Sequence, residues 1–97
     1  MFWSKVFNAK YDLVVAICDE ELIDKKIDTK RFEIKVSKNF YGERIVNEKI
    51  AVKLMEKATI GNLIGKDIVA LAKKNGFITK ENIISINGVP HAQFIKL

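Results

Sequence analysis

Cysteine is almost missing from this chain. Cys18 stands alone, so no internal disulfide can form, and the chain does not rely on an oxidising compartment. Histidine is equally scarce, with His91 the only one. A zinc site wants about four N, S or O ligands in close-spaced pairs. One Cys and one His, far apart in the sequence, do not supply that set, and no metal or cofactor is expected. Pro90 is the only proline and glycine occurs 5 times in 97 residues, so no linker or low-complexity stretch interrupts the chain. The longest apolar run, Leu13 to Cys18, is far below the ~20 residues of a membrane helix. No signal-peptide pattern follows Met1, and a cytoplasmic protein without membrane contact is the expectation.

What is present suits one domain spanning residues 1–97. Hydrophobic residues make up 48% and charged residues 30%, an ordinary globular balance. The net charge of +5 is uneven. Residues 1–24 hold two bases and five acids, a net −3, while the remaining 15 bases and 7 acids give +8. Such asymmetry points to a polyanionic partner, although solvated lysines alone produce the same count.

Periodicity sets out the elements. Phe2 to Phe7 reads as a strand, and Tyr11 to Cys18 as a second, central one, apolar on both faces. Asp19 is placed to cap a helical turn over Glu20 to Ile23. Arg31 to Ser37 alternates as a half-buried strand, and Asn39 to Arg44 reads as a loop. Asn47 caps a helix over 48–57, with Ile50, Leu54 and Met55 on its apolar face. Thr59 then caps a second helix carrying Leu63, Ile64, Ile68, Leu71 and Ala72 and ending before Gly76. Thr79 caps one more turn, Ile83 to Ile86 is a strand, Asn87-Gly88 is a tight turn, and Gln93 to Leu97 closes the chain as a strand after Pro90. The order β-β-β-α-α-β-β predicts an α+β fold, a mostly antiparallel sheet with a pair of helices on one face.

Three stretches, Cys18-Asp19-Glu20-Glu21-Leu22, Ala58 to Gly65 and Gly88 to Phe94, together with Phe40-Tyr41-Gly42, resemble the archaeal family called domain of unknown function 424. The resemblance covers nearly the whole chain. Through the family's gene neighbourhood it implies a translation-linked role, and it implies no catalytic residue.

The candidate sites follow from side-chain chemistry. Lys49, Lys53 and Lys57 recur every four residues on one helix face, and Lys66 and Lys73 share a face of the next helix. Such rows suit phosphate contact, because each contact releases condensed counterions, and they are also the ordinary wet side of an amphipathic helix. The stretch Gly61 to Lys66 lacks the spacing of a phosphate loop, and Asp67 follows the lysine where a hydroxyl residue belongs. Pro90, His91 and Gln93 on a constrained turn, with Tyr41 beside a glycine, form a second candidate surface for a partner or ligand. Cys18 with His91 is the only Cys-His pair, but Cys18 ends an apolar strand and precedes three acids, which disfavour a thiolate. No catalytic residue is assigned. The expected function is a non-enzymatic binding module for RNA, a ribosomal particle or a translation factor. The alternative is a small enzyme or ligand-binding domain with a pocket at Cys18, Asp19, Tyr41 and His91, which predicts a concave site where those four side chains converge.

Overall fold

A computed structural model describes residues 1–97. The strands are β1 (Phe2–Asn8), β2 (Leu13–Asp19), β3 (Lys26–Asp28), β4 (Glu33–Lys35), β5 (Arg44–Val46), β6 (Ile60–Ile64), β7 (Ile83–Ile86) and β8 (Val89–Ile95). The helices are α1 (Lys38–Tyr41), α2 (Glu48–Lys57) and α3 (Lys66–Lys74), with 3-10 turns at Glu20–Leu22 and Lys80–Asn82. Six strands form one sheet in the order β5-β1-β2-β6-β8-β7, and β3 pairs with β4 apart from it. Only the β2–β6 ladder is parallel. The fold is α+β with a mostly antiparallel sheet. No helix is long and apolar enough to cross a membrane.

β2 is central because its side chains are apolar on both faces. Val15 and Ile17 join the larger core with Leu63, Ala92 and Phe94, under Ala51 and Met55 of α2 and Ile68, Val69 and Ala72 of α3. Ala16 and Cys18 face the opposite side, where Ile27, Val36, Tyr41 and Ile64 complete a smaller core. α2 has the expected bounds, and Asn47 Oδ1 accepts from the Ile50 amide at 2.9 Å. α3 ends in a Schellman arrangement. Gly76, at φ 79°, donates to Lys73 O and Phe77 donates to Ala72 O.

The second helix is shorter than its periodicity predicts. Ile60–Ile64 is a strand, and the helix starts only at Lys66. Leu63 and Ile64 are adjacent strand residues facing opposite cores, and they happen to fall in phase with Ile68, Leu71 and Ala72. Ile64 therefore does not pack under the helices. Thr59 caps no helix; it exchanges bonds with the backbone of Leu13, accepting from its amide at 2.9 Å. Gly61 lies against the Phe94 ring, where an added Cβ would come within 2.1 Å, and Gly65 turns the chain at φ 124°.

Three further readings change. Only Glu33–Lys35 of the alternating stretch is a strand, paired in the small hairpin, and Phe32 is 60% exposed. The Asn39–Arg44 stretch is not a loop throughout, because Ser37 Oγ accepts from the Asn39 amide and starts α1. The last strand begins at Val89 and includes Pro90. Pro90 stands opposite Ser85, and its carbonyl accepts from Gly65 on the far side. Its missing N–H therefore costs no bond to β7.

Candidate functional site

The small hairpin and α1 cover the β1–β2 half of the second sheet face. Beyond them, Ile84 of β7 and Gln93 and Ile95 of β8 keep their side chains in solvent. Asn62 is a lone polar residue in an otherwise apolar stretch of β6, and its Oδ1 sits at the centre of this region. Tyr41, the buried last residue of α1, donates its hydroxyl to that oxygen at 2.5 Å. His91 Nε2 lies 3.3 Å from the same atom. With a carbonyl oxygen as the shared acceptor, Nε2 carries the proton and Nδ1 keeps its lone pair. Burial holds the His91 pKa below its usual value, so the ring is neutral at pH 7. Burial, then the neighbouring Cys18, pushes the Tyr41 hydroxyl well above its usual range, so it stays a donor.

The register extends the patch outward. Gln93 pairs with Asn62, His91 with Ile64, and Ile84 with His91. Gln93 is exposed, while Ile84 and Ile95 keep 57% and 66% of their surface in solvent. Asn82, Ile84, His91 and Gln93 line an open groove there. His91 is thus a mid-strand residue, not a turn residue, and its ring is half-buried.

Of the predicted residues, Tyr41, His91 and Gln93 share this face. Pro90 does not. It lines a small cleft at the end of the sheet with Asp19, Glu21 and Lys66, which brings Lys66 from the basic rows next to the Gly88–Pro90 segment. Lys49, Lys53 and Lys57 on α2 and Lys73 on α3 are exposed in the helix layer on the opposite face of the sheet. The one ion pair within 4.0 Å is Lys26 with Glu33, so none of the five candidate lysines is neutralised by an acid.

The proposed four-residue pocket separates into parts. Cys18 is fully buried, and burial, then the charges of Asp19 and Glu21, pushes its thiol up to about 12. A thiol so protonated is a poor nucleophile at neutral pH. Asp19 points the other way and caps α3 rather than the turn that follows it. Its carboxylate accepts from the amides of Asp67 at 2.9 Å and Ile68 at 2.8 Å. Gly65 makes room for it, since a Cβ there would lie 2.3 Å from Asp19 Cγ. Burial raises the Asp19 carboxyl above its ordinary pKa, against the pull of those two amides. Asp19, Glu21 and Asp67 bring carboxylate oxygens within 4.8 Å of one another, while both oxygens of Asp19 are engaged by the helix. Glu20 of the acidic turn is not in this group.

Sequence reasoning missed Asn62. Its signal was a single amide inside the apolar run from Ile60 to Ile64, hidden by reading that run as helix.

The family described as "Protein of unknown function (DUF424)" matches residues 7–97, and the chain belongs to it. An uncharacterized conserved protein from Methanopyrus kandleri has a similar crystal structure, with a TM-score of 0.84 and 20% identity over 99% of this chain and 93% of that one. That likeness is one of fold. No curated protein matches the chain.

Proposed function

We propose that this protein is a non-enzymatic cytoplasmic binding module that docks on RNA, as part of a translation-linked particle. The observation that carries this reading is the state of its lysines. Lys49, Lys53, Lys57, Lys66 and Lys73 are exposed, and none has an acidic partner within 4.0 Å. Unpaired surface cations are free to replace the counterions of a phosphate backbone. The absence of an activated group supports binding over catalysis, because the Cys18 thiol stays protonated and Asp19 is committed to α3.

Binding to single-stranded RNA measured against salt concentration tests the reading. Changing Lys49, Lys53 and Lys57 together to Gln lowers the slope of log affinity on log salt by roughly 0.7 for each phosphate that the variant no longer neutralises. Unfolding should scarcely change, since these side chains make no ion pair. A parent protein that fails to bind RNA at low salt would remove the proposal.

A further inference from the structure

The outer edge of β7 has no strand beside it. Edge strands are commonly blunted by charge, proline or a covering element. The opposite edge of the sheet, β5, carries Arg44. β7 reads Ile-Ile-Ser-Ile, with neither charge nor proline. From Ile83 to Ile95 there is no charged residue at all, in a chain where 30% are charged.

The turn determines which backbone groups this edge presents. Asn87 and Gly88 have φ of 48° and 85°, the two-residue hairpin geometry that makes Ile86 and Val89 a hydrogen-bonded pair. Pairs alternate along an antiparallel ladder, so Ile84–His91 is hydrogen-bonded and Ser85–Pro90 between them is not. The Pro90 carbonyl, bonded to Gly65 on the side away from β7, agrees with that assignment. The N–H and C=O groups of Ile83 and Ser85 therefore point outward from the edge.

We propose that β7 pairs antiparallel with β7 of a second copy of this chain, about a two-fold axis passing through Ile84. In that register, Ile83 of each copy meets Ser85 of the other, and the outward backbone groups satisfy one another. Ile84 meets Ile84 as a non-hydrogen-bonded pair, the kind that brings side chains closest. The 57%-exposed Ile84 is then covered by its own counterpart. Each copy carries +5, and two such chains repel unless the surfaces that meet are neutral. The charge-free β7–β8 hairpin provides that surface, and a self-complementary patch is what a two-fold dimer requires. This inference uses different residues from the RNA reading and stands or falls separately.

The test is sedimentation equilibrium of the full chain over a range of concentrations, without RNA. The expected mass at high concentration is twice 11.1 kDa. Ile84→Lys places like charges opposite one another and should leave a monomer whose circular dichroism and melting temperature match the dilute parent. Ile84→Cys should cross-link into a covalent dimer with an added thiol oxidant, because a Cα separation of about 4.5 Å for such a pair lies within disulfide reach. Ile86→Cys, off the axis, should not cross-link. The buried Cys18 does not compete. A parent that stays monomeric at the highest concentration, a dimer that survives Ile84→Lys, or assembly seen only with RNA or another protein would each overturn the proposal.

Discussion

The two faces of the six-stranded sheet are finished differently. On one, α2 and α3 close over a cluster of 14 buried residues. On the other, the β3–β4 hairpin and α1 close over 6, Ile64 of β6 among them, and Ile84, Gln93 and Ile95 remain in solvent. Apolar area removed from water stabilises a fold in rough proportion to its extent. The helix face therefore carries most of the stability, and the second face is free to present side chains. The polar atoms there are fixed by one another, through Tyr41, Asn62 and His91, rather than by a deep surrounding core.

The largest expected contrast comes from one aliphatic truncation on each face. Ile68 is fully buried, and Ile68→Ala should cost about 2–5 kcal/mol in denaturant unfolding. Ile84→Ala should fall within about 0.5 kcal/mol of the parent when measured in dilute protein, where association does not contribute. Equal losses would mean that the second face is as closed as the first.

A smaller contrast lies in the pH dependence of stability, where the two faces should act with opposite sign. Asp19, under the helix face, has a raised pKa, so the folded state holds its proton more tightly than the unfolded state. Its contribution declines as pH rises from the ordinary carboxylate range through the folded value. His91, on the open face, has a lowered pKa, so the unfolded state takes the proton first. Its contribution is present above the unfolded value and is lost as pH falls from there through the folded value. Unfolding measured from pH 4 to pH 8 should lose the first slope in Asp19→Asn and the second in His91→Gln. Unchanged profiles in both variants would show that other groups govern the dependence.

Local signals carried much of this architecture. The β1–β2 hairpin, the Asn47 cap, the Gly76 stop and the Asn87–Gly88 turn each depend on residues within a few positions of one another. What escaped depends on distant partners. Asp19 caps a helix through the amide of Asp67, 48 residues later, and the preceding strand gives no hint of it. Ile60–Ile64 is a strand because β2 and β8 flank it, while its own spacing matches a helix running into α3. Of the candidate site, Tyr41, His91 and Gln93 were identifiable as polar groups near glycine and proline. That Asn62 joins Tyr41 to His91 followed only from the register.

The single parallel ladder has a kinetic consequence. It is the only join between the β5-β1-β2 and β6-β8-β7 halves of the sheet, and it begins where Leu13 meets Thr59, 46 residues away. Each half contains a hairpin that closes over a few residues. The join must close a loop nearly ten times longer, at about 2 kcal/mol of additional chain entropy. It is the longest closure in the sheet, a little beyond the β1–β5 pairing whose Ser4 and Arg44 lie 40 residues apart, and it is expected to limit folding. Val15→Ala and Leu63→Ala, at the join, should slow refolding in proportion to the stability they remove. Ala92→Gly, in the β6–β8 pairing, should chiefly speed unfolding. The reverse pattern in stopped-flow refolding would place the barrier inside one half, before the halves meet.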